Sequence, residues 1–188
     1  ENGDLDDQVT ISSNAANKEG SSIYTKPGDR YSLRDLVYGL MLRSGNDAAT
    51  AIAEHVGGSE KGFAFLMNEK RRWIGMKNSS FKNPHGLDEE DHYSTAYDMA
   101  LLTSYAMKND EFRKIFGTKK YLSENIDYYW FNKNKLRMTN DYCTGGKTGF
   151  TKSAGRTLVT TAERDGKEIV VVTLNASNDW SDHRVLYD

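Results

Sequence analysis

The sequence predicts an α/β fold, with a mostly helical lobe at about 32–116 and an antiparallel sheet part at about 143–188. In the first region, apolar residues recur at helical spacing behind capping residues. In the second, two β-rich runs flank the pair Asp165-Gly166, which is favoured in tight hairpin turns. The 188 residues suffice for one domain with a sizeable core. We therefore expect a single domain over 1–188.

The helices of the first region follow from their capping signals. Ser32 is a suitable N-cap, and Asp35 stands three residues later as in a capping box. The helix that they start is expected to stop near Ser44-Gly45. Three further helices should follow: 47–56, from Ser59 to Ile74 with Gly75 as the stop, and one capped by Thr95.

The strands of the second region are expected at 157–162 and 168–175. The latter contains Val170-Val171-Val172, a run that is typical of a central strand covered on both faces. Short edge strands are also expected at 8–12 and 24–26. The aromatic run 128–131 is expected to be buried between sheet and helices, although it could also line a groove.

The composition argues against several function classes. The net charge is −2 and both signs are interspersed, which gives no case for nucleic-acid or anionic-membrane binding. There is no run of about 18 apolar residues, so no membrane-spanning helix is expected. The lone Cys143 allows no internal disulfide. The chain starts at Glu1 without a methionine or a signal peptide, which suggests a processed or truncated product.

A first motif, Lys147-Thr148-Gly149, precedes the hairpin and is expected to form the end of a neighbouring strand. Such a strand can bind an extended peptide through its backbone, and Gly149 would allow close approach. The Lys147 ammonium could attract a terminal carboxylate, with a hydroxyl hydrogen bond from Thr148 or Thr151. The alternative is an ordinary exposed strand that carries a lysine.

The same residues do not form a phosphate-binding loop. Gly146-Lys147-Thr148 looks like the end of that motif, which needs a glycine five positions earlier and a helix afterwards. Position 141 is Asp141, and a strand is expected to follow. Nucleotide binding is therefore not predicted.

A second motif, Ser44-Gly45-Asn46, lies on the turn between the first two helices. A serine hydroxyl can relay a proton between a lysine and a leaving amine. The Asn46 amide can hold a substrate carbonyl and a neighbouring lysine, and Gly45 would allow a sharp turn that points both side chains into one cleft. The alternative is that these residues only cap two helices.

Together the two motifs resemble the low-molecular-weight penicillin-binding proteins, the serine D-alanyl-D-alanine carboxypeptidases. The resemblance covers essentially the whole chain and extends over five segments: 36–49, 81–87, 92–96, 146–151 and 154–155. It implies the β-lactamase and penicillin-binding-protein transpeptidase-like fold, with an antiparallel sheet flanked by helices and a mostly helical lobe.

The resemblance also implies roles for single residues. Ser44 and Asn46 would be active-site residues, and Lys147 would be catalytic and substrate-binding. Thr148, Gly149, Phe150 and Thr151 would complete the substrate-binding strand, with the Phe150 N–H as one half of the oxyanion hole.

The family's nucleophile is the serine of a Ser-x-x-Lys motif before Ser-x-Asn, and no such motif precedes Ser44 here. The literal match Ser79-Ser80-Phe81-Lys82 comes too late, and Asn83-Pro84 would end a helix at once. We therefore expect an N-terminally incomplete catalytic domain, with the motif upstream of Glu1. The alternative is a natural homologue that lacks it.

The implied function is removal of the terminal D-Ala from peptidoglycan stem peptides through an acyl-enzyme that β-lactam antibiotics also form. The implied location is extracytoplasmic, in the bacterial cell envelope or secreted, and it admits membrane anchoring through a segment outside this chain. The alternative function is a non-catalytic module that binds peptidoglycan peptides. No cofactor is expected.

One cluster of side chains could suggest a metal site. It comprises His85, Asp88, Glu89, Glu90, Asp91 and His92. The alternative is a solvated acidic loop with two structural histidines. Because the resembling family uses no metal there, we expect none.

Overall fold

A computed structural model describes residues 3–188 and divides them into two compact units. Glu1 and Asn2, where the expected truncated start falls, lie outside the described residues. The first unit comprises the described residues up to Glu69 together with Phe81–Leu87 and Lys120–Phe131, and the second comprises Lys70–Ser80, Asp88–Lys119 and Asn132–Asp188.

The helices in chain order are α1 Ser13–Ala16, α2 Leu33–Arg43, α3 Asn46–Gly57, α4 Glu60–Ile74, α5 Ala96–Ala106, α6 Asp110–Phe116, α7 Lys135–Thr139 and α8 Asp179–Tyr187. The strands are β1 Gln8–Thr10, β2 Arg30–Ser32, β3 Lys120–Ser123, β4 Tyr128–Phe131, β5 Cys143–Thr151, β6 Gly155–Arg164 and β7 Lys167–Leu174. Within residues 3–188, no helix has both the length and the apolar character that crossing a bilayer requires.

The predicted helices are confirmed, and their caps act as expected. The Ser32 hydroxyl accepts from the Asp35 N–H at 3.1 Å at the start of α2, and the Thr95 hydroxyl accepts from the Asp98 N–H at 3.1 Å at the start of α5. α3 ends at Gly57 with Gly58 as its C-cap, and α4 is followed by Gly75. Gly58 and Gly75 both have positive φ, which glycine adopts more easily than other residues.

Asp35 does not complete the capping box that the sequence suggests. Its buried carboxylate instead accepts from the β3–β4 hairpin: from the hydroxyls of Tyr121 at 2.7 Å and Ser123 at 2.5 Å, and from the Asn125 N–H at 3.1 Å. Tyr38 of α2 stacks on Tyr121 with ring centroids 3.7 Å apart. Asp35 therefore attaches a hairpin that lies about ninety residues later in the chain to the first predicted helix.

The short N-terminal strands are only partly as expected. β1 lies within 8–12 and pairs antiparallel with β2, with Val9 opposite Tyr31. The strand predicted at 24–26 does not exist, because Tyr24 has a left-handed backbone with φ of 65°. The partner of β1 lies at 30–32 instead.

The aromatic run in β4 is mostly exposed instead of being buried. Trp130 is 3% exposed, whereas Tyr128, Tyr129 and Phe131 are all exposed. The two-residue period of a strand turns Tyr129 and Phe131 to the face opposite Trp130. Tyr128 shares the face of Trp130 but stays exposed at the start of β4, so only Trp130 of this run enters the core of the first unit.

The second unit contains the antiparallel sheet, with strand order β5-β6-β7. The predicted hairpin is confirmed: Asp165 and Gly166 both have positive φ and connect β6 to β7. The expectation that 168–175 forms a central strand is wrong. Within the described residues β7 pairs only with β6, and most of it is exposed or half-buried. β6 is the middle strand, and it carries the buried Leu158, Thr160 and Ala162.

A buried polar network ties α8 to this sheet. His183 is fully buried and contacts the Thr160 hydroxyl at 2.7 Å and the Thr173 hydroxyl at 3.0 Å through its two ring nitrogens. The Tyr187 hydroxyl donates to Thr160 at 2.5 Å. Burial lowers the pKa of His183 to about 4, so its imidazole is neutral at pH 7.

Candidate active site

Ser44 is the C-cap of α2. Its backbone is left-handed, with φ of 62° and ψ of 35°, and its N–H donates to the Leu40 carbonyl at 2.9 Å. Such a conformation is uncommon for a residue other than glycine, asparagine or aspartate. The serine therefore occupies a position where glycine would be the easier choice, and what glycine would lack is the short side chain that carries the hydroxyl.

Asn46 begins α3 and is held by the segment before β2. Its backbone N–H donates to the Ser21 carbonyl at 2.7 Å, and its side-chain Nδ2 donates to the Glu19 carbonyl at 2.8 Å. A carbonyl partner needs a donor, so it fixes which end of the amide is nitrogen. Gly20, with φ of 90°, has no side chain to meet Asn46; a Cβ there would lie 2.7 Å from Nδ2.

Gly45 is needed because a larger side chain would not fit, and not because of the backbone conformation of the turn. The sequence suggested that glycine allows a sharp bend, but φ of Gly45 is −62°, which any residue adopts. A Cβ at this position would lie 2.9 Å from Asp47 Oδ1 and 3.1 Å from Ile23 Cγ2. The middle residue of Ser-Gly-Asn is therefore small because two neighbours pack directly against it.

Lys147 lies in β5, an outer strand of the sheet. Within the described residues β5 pairs only with β6, so alternate backbone groups of β5 point away from the ladder. The Lys147 Nζ donates to the Thr148 carbonyl at 2.6 Å. Burial, with a smaller contribution from the charge of Lys133, lowers the pKa of Lys147 to about 8. This lysine is therefore mostly charged at pH 7 and much closer to neutrality than an exposed lysine.

The residues after Lys147 have different environments. Gly149 faces Thr157 of β6, since a Cβ on Gly149 would lie 2.4 Å from Thr157 Oγ1. The Phe150 side chain is 70% exposed. The Thr151 hydroxyl donates to Asp88 Oδ1 at 2.7 Å and accepts from the Ala154 N–H at 2.9 Å. A hydroxyl donates only one hydrogen, so Thr151 could donate to a ligand carboxylate only by releasing Asp88.

The literal Ser-x-x-Lys match, Ser79 to Lys82, lacks the exposure and the helix expected of the nucleophile motif. Ser79 is 2% exposed, and its hydroxyl donates to Asp98 Oδ2 at 2.7 Å and contacts the Ser94 hydroxyl at 2.8 Å. No helix begins at this serine; Ser80 pairs with Tyr93 in an isolated bridge.

The candidate metal ligands have protein partners instead. His85 Nε2 lies 3.2 Å from Glu60 Oε2, and Asp88 accepts from Thr151. In residues 3–188, no three His, Cys, Asp or Glu side chains are grouped closely enough to hold a metal ion.

The predicted residues therefore fall into two groups. Ser44 and Asn46 lie on one turn in the first unit, and Lys147 to Thr151 lie on one strand in the second. Sequence reasoning missed the structural roles of Asp47, whose carboxylate accepts hydrogen bonds beside Asn46, and of Asp88, which accepts from the Thr151 hydroxyl. Asp47 follows Asn46 directly and has the sequence character of an ordinary acidic residue in a first helical turn, so no local signal distinguishes it.

The comparison with protein families decides the affiliation. A family profile described as D-alanyl-D-alanine carboxypeptidase, Peptidase_S11, matches residues 2–178. The chain belongs to the D-alanyl-D-alanine carboxypeptidase family. It is 39% identical over 176 residues to the carboxypeptidase DacF of Bacillus subtilis, and 36% identical over 184 residues to DacC of Escherichia coli. These alignments cover 92% and 93% of this chain but 45% of each relative, so the chain spans less than half of their length.

Solved structures of this carboxypeptidase family and its neighbours share the fold. A D-alanyl-D-alanine carboxypeptidase from Mycobacterium tuberculosis has a TM-score of 0.91 at 30% identity, over 98% of this chain and 74% of that one. A mutant of the Streptomyces K15 DD-transpeptidase has a TM-score of 0.90 at 30% identity, over 99% of this chain and 78% of that one. The predicted penicillin-binding-protein fold is therefore confirmed.

Proposed function

We propose that the protein containing this chain is a serine-type DD-carboxypeptidase that removes the terminal D-Ala from peptidoglycan stem peptides. The observation that carries the proposal is Lys147 on an outer strand of the sheet, in a chain that belongs to the D-alanyl-D-alanine carboxypeptidase family. An outer strand can bind a peptide as a further strand, and a charged lysine within it attracts a terminal carboxylate. These two properties suit a peptide with a free C-terminus, and the family membership supports D-Ala-D-Ala as its end.

Each predicted residue has a proposed role in this reaction. Ser44 relays a proton toward the leaving D-Ala amine, and Asn46 holds the substrate through its oriented amide. The Phe150 N–H stabilises the tetrahedral oxygen. Thr148 and Gly149 line the strand, while Thr151 shapes its end through Asp88. The acylated serine is proposed to belong to a Ser-x-x-Lys motif outside these 188 residues.

Two further properties go with the reaction. A β-lactam should acylate the same serine as the peptide does, because it presents a reactive carbonyl to the same groups. Since peptidoglycan lies outside the cytoplasmic membrane, the protein should act there. Anchoring to the membrane by a segment outside this chain stays a prediction.

The test uses the full-length natural protein and a labelled penicillin. Mass spectrometry should show one covalent adduct per protein molecule. If the folded protein gains no mass but still binds a D-Ala-D-Ala peptide, the enzyme proposal is wrong and the protein is a peptide-binding module.

Ser44→Gly tests the role of the hydroxyl without disturbing the turn. Glycine adopts the left-handed backbone of Ser44 at least as easily as serine, so this variant should fold. Acylation should nevertheless fall roughly a hundredfold or more if the hydroxyl relays a proton. The matched control is Asp165→Gly, which also replaces a residue with positive φ, in the hairpin turn, and should leave acylation unchanged.

A further inference from the structure

The strongest feature that the proposed reaction does not use is a second buried carboxylate, next to Asn46. Asp47 is fully buried at the start of α3. It accepts five hydrogen bonds: from Ser22 Oγ at 2.7 Å, Ile23 N at 3.1 Å, Thr25 N at 3.1 Å, Thr25 Oγ1 at 3.1 Å and Ala48 N at 2.9 Å. Four of these donors lie between residues 22 and 25, more than twenty positions earlier in the chain. Asp47 thus binds one short segment to the start of α3.

The same segment holds Asn46. The carbonyls of Glu19 and Ser21 accept from the Asn46 side chain and backbone, as described above. Segment 19–25 is therefore attached to α3 twice, through Asp47 at one end and through Asn46 at the other. A displacement of residues 22–25 is therefore expected to move both the Glu19 carbonyl that orients the Asn46 side-chain amide and the Ser21 carbonyl that holds the Asn46 backbone.

Tyr24 shows that Asp47 imposes the shape of this segment. The N–H groups on either side of Tyr24, those of Ile23 and Thr25, both point to the Asp47 carboxylate. Tyr24 itself has φ of 65°, and its side chain is 85% exposed. A bulky residue keeps such a backbone only when its surroundings over-determine it, and strain of this kind concentrates at functional sites.

We propose that Asp47 is a positioning residue for the reaction assigned to this protein: it fixes segment 19–25, and the segment fixes the orientation of the Asn46 amide. Because Nδ2 is committed to the Glu19 carbonyl, Asn46 presents Oδ1 as an acceptor on its other side. An acceptor suits an ammonium group or a substrate N–H. The role rests on the proposed function, since it concerns how Asn46 meets its reaction partners.

The test replaces the carboxylate with an amide of the same shape. In Asp47→Asn one oxygen becomes an NH₂ group, which must face at least one of the N–H groups that now donate to Asp47. Asp35→Asn is the matched control, because Asp35 is also a buried carboxylate of the first unit and accepts four hydrogen bonds, all from the β3–β4 hairpin. In the full-length protein, both variants should lower the urea midpoint.

Only Asp47→Asn should slow acylation by labelled penicillin, by about ten- to hundredfold. The rates are measured without urea, at a temperature where both variants are folded. Equal slowing by both variants, or no slowing by Asp47→Asn, overturns the proposal. If Asp47→Asn does not fold, Ser22→Ala is used instead, which removes one of the five hydrogen bonds and should slow acylation less. Ser22→Thr keeps the hydroxyl and should acylate at the wild-type rate. Identical rates for Ser22→Ala and the wild type then count against the role.

A second readout separates this inference from the proposed function. The side-chain amide signal of Asn46 in an NMR spectrum, identified by its loss in Asn46→Asp, should shift in Asp47→Asn and stay in place in Asp35→Asn. If the wild type forms no penicillin adduct, the proposed function fails while this measurement still tests the positioning. An unshifted amide signal in Asp47→Asn overturns the inference in either case.

Discussion

Around Asn46 the backbone is held by the buried carboxylate of the next residue, Asp47, and by backbone carbonyls from an earlier segment, whereas around Lys147 it is held by a continuous strand ladder. The Ser44–Asn46 turn depends on Asp47 and on two carbonyls of segment 19–25. The Lys147–Thr151 strand end depends on backbone pairing with β6 and on Asp88 at its tip. Hydrogen bonds to individual groups can fix the direction of one side-chain amide, which suits the role proposed for Asn46. A strand ladder leaves a regular outer edge of backbone groups, which suits a strand proposed to bind a peptide.

Within the Lys147–Thr151 strand end, the largest effect is expected from removing the lysine charge. Lys147→Ala in the full-length protein should cut penicillin acylation roughly ten- to hundredfold, because a charge-assisted contact contributes about 1.5–3 kcal/mol. Lys147→Arg keeps the charge with a different shape and should be partly tolerated. The control is Lys152→Ala, which removes an exposed lysine beyond the strand end. Wild-type rates for Lys147→Ala would remove the lysine from the proposed mechanism.

A smaller effect is expected where the ladder itself is disturbed. Gly149→Ala would place its Cβ 2.4 Å from Thr157 Oγ1 and should lower the free energy of unfolding by about 1–3 kcal/mol through overpacking. The double variant Gly149→Ala/Thr157→Ala removes the clash and should recover most of that stability in urea unfolding. Acylation by the double variant then shows whether a bound peptide also needs glycine here. We expect the double variant to regain most of its stability but to acylate slowly. If it regains both stability and acylation, Gly149 serves only the strand pairing.

The sheet that carries the strand end should be acid-sensitive through His183. Its pKa is lowered from 6.5 to about 4 by burial, so the unfolded chain binds the proton first as the pH falls. The free energy of unfolding is therefore unaffected by the titration of this histidine above about pH 6.5 and falls as the pH drops from there towards 4. The expected decrease is about 2 kcal/mol between pH 7 and pH 5. Urea unfolding at several pH values measures this loss. His183→Gln should be less stable at pH 7 but should lack the additional acid-dependent loss; an unchanged slope would assign the loss to other groups.

The pH profile of acylation should report Lys147 on the alkaline side. Because the pKa of Lys147 is lowered to about 8, the charged form declines above that pH. Acylation that needs the charge should fall about tenfold for each pH unit well above 8. Lys147→Arg should give a flat profile over the same range, since arginine stays charged. The same alkaline decline in both proteins would exclude Lys147 as its source.

The features that could be predicted from the amino-acid pattern are those encoded within one turn or one hairpin. Ser32 and Thr95 cap their helices through bonds to residues three positions away. Asp165-Gly166 forms the hairpin because both positions need positive φ. The Ser-Gly-Asn and Lys-Thr-Gly motifs, with their neighbouring segments, predicted the family and the fold.

The contacts between segments that are distant in the chain could not be predicted in this way. The Val170-Val171-Val172 run predicted a central strand, but its position in the sheet depends on which strands lie beside it. Asp35 and Asp47 both have the sequence pattern of first-turn helix acids, yet one binds a hairpin about ninety residues later and the other a segment more than twenty residues earlier. A carboxylate accepts from any donor that folding brings within about 3 Å. Its role therefore depends on long-range packing, which a local pattern does not encode.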